Sequence, residues 1–491
     1  MRFRVAAPLA CALALSPLAV VAGSPASSAE SFEAEVPRAE CGPGSSPENG
    51  LQGQVPIADR ASGRSEKGYS CNLELLGQYQ GEGTTWVNPQ YKNCAYNATS
   101  FSGLGRKKSE GTQVIDVSDP KHPKLTGNLT SPAMLTSTWE SLKVNEARGL
   151  LAGFSVGPAL SGIAFDVYDI SGDCAHPKLL NGVGGSEFTL PATTLNHEGQ
   201  WSPDGKTYWS SGLAGGALTA IDVSDPTSPS IAGVTAIGLA NHGFELSPDG
   251  NRLYLTTAFG AGVVILDVSE IQARKPAPVV RQLGSVFWGG SATVGQHTIP
   301  VTWDGKPYLI AVDEFAGEDM HIIDISDEMK PTIVRQIQLE ISRPENAELG
   351  AKDVKDNGFF GYDAHYCSVD RKTDPTALAC GFFQSGVRVF DITDPMSPRE
   401  IAYFNPPAQV GKNDQLRGSE HAVSFVAYGY NASGFRDAGP TGAGFSTTPA
   451  NLTADYCSSP PRFVGKDQLW VSCQDNGFMT LRFTNKAYSR R

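Results

Sequence analysis

The chain has 491 residues, of which 40% are hydrophobic and 18% charged, and its formal net charge is −12 at pH 7. A chain of this length can bury a sizeable core, and its acidic balance argues against nucleic acids and anionic membranes as partners. After the first 30 residues, no stretch of the sequence approaches the roughly 18 consecutive apolar residues that a membrane-spanning helix needs.

The first 29 residues have the pattern of a secretory signal peptide. Arg2 and Arg4 precede an apolar core over residues 6–21, and small residues at 27–29 form a cleavage site. Residues 30–71 are rich in Gly, Ser, Pro and charged residues, so we expect a poorly ordered N-terminal arm. The sequence therefore predicts a secreted protein, located outside the cell, in the periplasm or at the cell surface.

A short motif recurs along the rest of the chain at a spacing of roughly 50 residues, which indicates a repeat architecture. Each copy has a run of β-branched and apolar residues, then Asp, an apolar residue and Ser or Thr, and in several copies Asp-Pro. The run predicts a buried strand, and the Asp caps the tight turn behind it. The six aspartates are Asp116, Asp169, Asp222, Asp267, Asp324 and Asp391.

Each repeat contains four predicted antiparallel strands, which we call a, b, c and d, and the Asp motif ends strand c. A seventh unit at the C-terminus has strands b and c at residues 468–473 and 477–483 but no strand d. Residues 72–80 resemble the d strands and have no unit of their own, so they can complete the seventh unit. Closing the ring in this way removes exposed sheet edges.

The sequence thus predicts an all-β fold over residues 72–491, a seven-bladed β-propeller closed by an N-terminal strand. An open solenoid is the alternative, but it leaves the N-terminal strand without a partner. Long insertions are expected at about residues 340–359, 405–418 and 429–461.

The segments VIDVSDP, VVILDVSE and VRVFDITDP resemble the repeats of the LVIVD-repeat family of secreted and cell-surface β-propellers. The resemblance covers roughly residues 72–485. It implies the propeller architecture, but it implies no reaction because the family has no single established activity. The function must be argued from a site.

Removal of the signal peptide leaves eight of the nine cysteines, and an even number in an exported protein predicts four disulfides. Cys367 and Cys380 lie in neighbouring predicted strands of the sixth unit, so we expect them to pair. We also expect a bridge between Cys457 and Cys473, which joins the last insertion to strand b of the seventh unit. The other four allow three pairings: Cys41, Cys71, Cys94 and Cys174.

Five of the eight histidines fall at one repeat position, the first residue of strand a. Trp139 holds this position in the second unit and Trp86 in the first. Because strand a is innermost in a propeller, these side chains should converge at one mouth of the central channel. The histidines are His197, His242, His297, His365 and His421.

Carboxylates accompany this histidine ring. Those beside it in sequence are Glu198, Asp363 and Glu420. Those in b–c loops that open on the same face are Asp313, Glu314 and Asp475. The first three are candidates for orienting metal-bound imidazoles or for binding a ligand. The loop carboxylates are candidates for general bases beside a metal, and the alternative is that they are exposed acidic loop tips.

The histidine ring has three interpretations: a transition-metal site for copper, zinc or iron, a set of structural contacts between blades, or a metal-free polar binding site. The first hypothesis for function is a binding or scaffold protein with a histidine-lined channel mouth. The second is a metal-dependent oxidase or hydrolase, and the third is a purely structural surface protein. Whether the protein is an enzyme stays open at this stage, as does the identity of its partner, a small molecule or an extracellular protein. We expect a monomer.

Overall fold

The structure is a computed structural model, and it describes residues 35–100, 107–156, 164–187, 189, 196–213, 216–290, 293–315, 317–354, 357–358, 360–422 and 452–489. The predicted signal peptide lies outside these residues. Seven antiparallel sheets form a seven-bladed β-propeller, as predicted. None of the helices in the described ranges has the length and apolarity required to cross a membrane.

Two strands precede the first blade, and the blades follow in chain order. The leading strands are β1 (Tyr69–Cys71) and β2 (Leu73–Tyr79). Blade 1 contains β3 (Gln90–Tyr91), β4 (Cys94–Asn97), β5 (Thr112–Asp116) and β6 (Lys124–Leu129). Blade 2 contains β7 (Lys143–Asn145), β8 (Leu150–Phe154), β9 (Phe165–Asp169) and β10 (Lys178–Leu179). Blade 3 contains β11 (Gly199–Trp201), β12 (Thr207–Ser210), β13 (Ala217–Asp222) and β14 (Ser230–Ala236).

Blade 4 contains β15 (Asn241–Leu246), β16 (Arg252–Thr257), β17 (Gly262–Asp267) and β18 (Arg281–Phe287). Blade 5 contains β19 (Gly295–Trp303), β20 (Lys306–Asp313), β21 (Met320–Asp324) and β22 (Thr332–Ile337). Blade 6 contains β23 (Ala364–Val369), β24 (Ala377–Phe382), β25 (Gly386–Asp391) and β26 (Arg399–Asn405). Blade 7 contains β27 (Arg462–Val464), β28 (Gln468–Cys473) and β29 (Gly477–Phe483). Connections within the described residues contain the α-helices α1 (Ile57–Ser62), α2 (Pro132–Thr136), α3 (Ser269–Gln272) and α4 (Ala347–Val354), among others.

The repeated motif forms the third strand of six blades. In β17, every residue from Gly262 to Leu266 is buried, because blades pack on both faces of this strand. The aspartate that ends it turns the chain, as predicted. Oδ1 of Asp116 accepts a hydrogen bond from the Ser118 backbone N–H at 2.9 Å, and the same contact recurs in the other five copies.

The N-terminal strand closes the ring. β2 pairs antiparallel with β29, with Leu73 opposite Phe483 and Tyr79 opposite Phe478. This confirms the predicted closure and gives blade 7 its fourth strand.

The innermost strand of blade 7 differs from the prediction. The repeat alignment placed the start of this strand at His421. In the structure the strand is β27, which spans Arg462–Val464. β27 forms a tight hairpin with β28 across a turn that contains Gly465, whose φ of 60° suits glycine. His421 therefore precedes the insertion, much of which (residues 423–451) lies outside the described residues.

Residues 35–71 also differ from the expected poorly ordered arm. β1 adds a fifth strand to blade 6 by pairing with β26. The buried Arg388 guanidinium lies 2.6 Å from the Glu48 carboxylate and 2.9 Å from that of Glu400. Composition could not reveal that residues 35–71 are ordered, because their conformation depends on an ion pair between residues that are distant in sequence.

Four disulfides are present, and they include both predicted pairs. Cys367–Cys380 bridges β23 and β24, and Cys457–Cys473 ties the last insertion to β28. Of the three pairings left open, the structure has Cys41–Cys71 and Cys94–Cys174. Four disulfides are typical of an oxidising, extracellular-type environment.

Replacing both Cys367 and Cys380 with Ser should lower the free energy of unfolding by about 2–3 kcal/mol, the size expected for a short closed loop. The cysteines are separated by 13 residues. Chemical denaturation of the variant and the wild type measures the difference. Peptide mapping of the unreduced protein provides the control, and a free thiol at either position would contradict the pairing.

Candidate metal centre

The inner strands of blades 2 to 6 begin around one buried carboxylate, that of Glu140. Its Oε2 lies 3.0 Å from His197 Nε2 and 3.8 Å from His242 Nε2, and its Oε1 lies 2.9 Å from His365 Nε2. Three of the five predicted histidines therefore converge, and each directs its Nε2 atom at the Glu140 carboxylate.

A second carboxylate joins this cluster. Glu314 follows β20, and its two oxygens lie 3.6 Å from the Nε2 atoms of His242 and His365. Five residues from five consecutive blades thus bring three imidazoles and two carboxylates together. We call this set the histidine–glutamate cluster: Glu140, His197, His242, Glu314 and His365.

Local irregularities in the strands aim these side chains. The pairing of β23 with β24 skips His365, and the pairing of β15 with β16 skips His242, so both lie in bulges. A bulge redirects a side chain that would otherwise follow the strand's alternation. In blade 5 the skipped residue is Gln296 rather than His297. Gln296 Nε2 accordingly donates to Glu140 Oε1 at 3.2 Å.

Backbone carbonyls orient two of the imidazoles. His365 Nδ1 lies 2.7 Å from the Ser458 carbonyl oxygen, and His242 Nδ1 lies 3.2 Å from that of Gln296. Because a carbonyl oxygen only accepts, Nδ1 carries the proton. Once Nε2 is deprotonated, it presents its lone pair to the cluster, which is the arrangement usual for metal-ligating histidines.

The electrostatics of the cluster favour a cation. Burial acts to raise the pKa of Glu140, but contacts with His197 and His365 hold it well below its usual range. Burial opposes charge on His365, yet Glu140 and Glu314 raise its pKa to about 10. The pKa of His197 is likewise raised, against burial, by Glu140. The two carboxylates therefore favour positive charge at this place, and a divalent ion could supply it.

The central imidazole behaves differently. Burial and the charge of the neighbouring His197 lower the pKa of His242 to about 4. Behind it lies Glu198, a predicted second-sphere residue, with Oε2 3.8 Å from His242 Nδ1 and Oε1 3.0 Å from Lys143 Nζ. Burial raises the pKa of Glu198 to about 7, although Lys143 acts to lower it.

Two predicted ligands lie outside the cluster. The His297 ring packs against the Tyr366 ring at a tilt of 32°, with centroids 4.7 Å apart, and burial lowers the pKa of His297 to about 3. His421 has both nitrogens engaged, with Nδ1 2.6 Å from Asp475 Oδ2 and Nε2 2.7 Å from the Asn357 carbonyl oxygen. Asp455 also lies near His421 and Asp475, but its carboxylate accepts hydrogen bonds from the backbone N–H groups of Tyr456, Asp475 and Asn476.

The remaining predicted carboxylates are engaged elsewhere. Asp313 accepts a hydrogen bond from Trp288 Nε1 at 2.7 Å. Asp363 accepts one from the Gly317 N–H at 2.9 Å, and burial raises its pKa to about 6. The Glu420 carboxylate accepts from the Ser100 hydroxyl.

Sequence reasoning missed Glu140, although the repeat alignment contained the signal. The alignment equates TWESLKV with NHEGQWS, so Glu140 takes the place of Glu198 one unit earlier. In the structure these two residues pair as a parallel β-bridge between blades 2 and 3.

An aromatic wall borders the cluster on the side of His365. The Trp86 ring lies 5.7 Å from the His365 ring and 5.0 Å from that of Trp139. Phe383 lies 5.0 Å from His365 and stacks on Phe360 at 3.9 Å. Such a wall lowers the local dielectric and strengthens the electrostatic interactions inside it.

Comparison with known proteins supports the architecture. The family model of the LVIVD repeat matches residues 108–131 and 213–235. These ranges cover the third and fourth strands of blade 1 and, except for Ala236, those of blade 3. No curated protein matches the chain.

Several solved structures are similar in fold. The periplasmic gluconolactonase of Pseudomonas aeruginosa is 12% identical, with 68% of this chain and 98% of that chain covered and a TM-score of 0.45. The Kuenenia stuttgartiensis hydrazine synthase is 13% identical, with 84% of this chain and 97% of that chain covered and a TM-score of 0.44. The WD40 domain of Toxoplasma gondii coronin is 12% identical, with 87% of this chain and 89% of that chain covered and a TM-score of 0.45. These likenesses concern the fold alone.

Proposed function

From the premise that this chain is a β-propeller with LVIVD repeats, we propose that it is a metal-dependent enzyme. Its metal is held by His197, His242 and His365 together with Glu140 and Glu314. The observation that carries this proposal is the convergence of three Nε2 atoms within 3.8 Å of one buried carboxylate. It favours the metal-dependent alternative over a scaffold, since a scaffold has no need of such a cluster.

The donor set fits a divalent transition metal. Imidazole nitrogens suit zinc, iron, copper and nickel, and carboxylates extend the range to manganese. Glu140 Oε2 and His365 Nε2 are buried without a hydrogen bond of normal geometry among the described residues. Buried polar atoms are rarely left in that state, and a cation between them would satisfy both.

When bound, a metal at this cluster would supply a Lewis acid or a redox centre, which fits the hydrolase or the oxidase. The protein's own groups would admit and orient the substrate. The side chains of His197 and Glu314 are 14% and 10% exposed, more than those of the other three cluster residues. A substrate would therefore approach on their side, while the aromatic wall excludes water from the side of His365.

Metal analysis of the purified protein tests the proposal. We expect about one equivalent of zinc, iron, copper or manganese per chain. Oxygen consumption and ester hydrolysis assays on the loaded protein then separate the oxidase from the hydrolase. If the protein contains no stoichiometric metal and the metal-free form binds none in titration, the proposal fails. The binding or scaffold hypothesis would then be favoured.

The setting of this enzyme is also a proposal. The sequence of residues 1–29 supports export, and the four disulfides agree with an oxidising compartment. We propose a secreted monomer that acts on a small molecule, and mass determination in solution would test the monomer.

A further inference from the structure

Glu140 reaches the cluster from a tight turn with an unusual residue in it. The Ser141 N–H donates to the Thr138 carbonyl oxygen at 2.8 Å and closes the turn. Trp139, the second residue of this turn, has a φ of 48°. A turn with positive φ at that position normally has Gly, Asn or Asp there, and a bulky residue in this conformation is a genuine outlier.

Neighbouring residues hold the turn in place. The Trp139 N–H donates to the Thr99 carbonyl oxygen at 2.8 Å. Thr99 and Thr138 also exchange bonds, each backbone N–H donating to the other's hydroxyl at 2.9 and 3.0 Å. On the far side, the Ser141 hydroxyl donates to the Phe154 carbonyl oxygen at 2.9 Å. Residue 139 must therefore adopt a left-handed conformation to join these contacts.

The residue that follows this strained position is Glu140, at the centre of the cluster. We propose that Trp139 is a positioning residue, and that its left-handed backbone aims the Glu140 carboxylate at the three imidazoles. Strain of this kind persists only where the surroundings over-determine it, and it concentrates at functional sites. The indole contributes packing, with its ring 5.0 Å from that of Trp86 and 6.2 Å from that of His197. This inference rests on the proposed metal site.

Two substitutions separate the backbone from the side chain. Trp139→Gly and Trp139→Ala both remove the indole, but only glycine adopts positive φ without a penalty. In Zn²⁺ titrations, we expect Trp139→Gly to bind within about threefold of wild type. Trp139→Ala should bind about tenfold more weakly, because alanine keeps the left-handed penalty but lacks the indole packing that offsets this penalty in the wild type. The visible spectrum of bound Co²⁺ should match wild type in Trp139→Gly and change in Trp139→Ala.

Trp86 provides a matched control, since it lies in the same aromatic wall without a positive φ. Trp86→Gly should bind Zn²⁺ no more tightly than Trp86→Ala. If Trp139→Ala does not fold, Trp139→Asn and Trp139→Leu make the same comparison, because Asn tolerates the left-handed region.

Equal Zn²⁺ affinities and Co²⁺ spectra in Trp139→Gly and Trp139→Ala would overturn the inference while leaving the metal site intact. Failure of the wild type to bind Zn²⁺ would overturn both.

Discussion

Zn²⁺ affinity should fall by more than about 100-fold in His242→Ala and in His365→Ala. Each substitution removes one imidazole from a set that acts together, whereas groups that only orient ligands typically change affinity ~10–100-fold. Glu198→Gln should therefore have a smaller effect, because Glu198 lies behind His242. Calorimetric titration of the metal-free proteins with zinc and copper measures all three.

Histidines outside the cluster provide the controls. His321 is buried like the cluster residues but lies 3.4 Å from Asp313, and His122 is exposed. His321→Ala and His122→Ala should leave the affinity unchanged. The structure extends this expectation to His297 and His421, which the repeat alignment had assigned as ligands. A loss of Zn²⁺ affinity in His297→Ala as large as that in His365→Ala would contradict the exclusion of His297 from the metal site.

The same titration should depend on pH. A metal competes with protons for imidazole nitrogens, and the pKa of His365 is raised, against burial, to about 10 by Glu140 and Glu314. Metal binding should therefore release a proton at neutral pH, and affinity should rise as pH increases from about 6.5 towards 10. An affinity that is flat across this range would argue against His365 as a ligand.

Deletion of residues 72–80 should yield insoluble or proteolysed protein. It removes β2 and leaves β29, a strand of seven residues, as an unpaired outer edge of blade 7. An exposed edge of this length invites association with other chains, and an open ring loses the packing between its first and last blades. Solubility, gel filtration and limited proteolysis report the outcome.

A chain that begins at Glu35 is the matched control, because it keeps β1, β2 and the pair between Glu48 and Arg388. It should remain soluble and monomeric. A stable, soluble monomer from the deletion of residues 72–80 would show that ring closure does not depend on β2.

The repeat pattern by itself determined the blades of this protein. Short strands, turn residues and an aspartate such as Asp116 form one unit, so their spacing predicts that unit directly. The same regularity predicted that residues 72–80 complete the last blade. It also predicted the bridge between Cys367 and Cys380, because neighbouring strands of one hairpin bring these cysteines together.

Only the tertiary structure decided which side chains share the cluster. A bulge shifts the strand start of blade 5 by one position relative to the alignment, so Gln296 contacts Glu140 while His297 turns towards Tyr366. A change of one residue reverses the direction of a side chain on a strand, and the periodicity of the sequence does not reveal bulges. Glu314 reaches the histidine–glutamate cluster from the loop after β20. The direction of its side chain depends on contacts between blades rather than on the repeat.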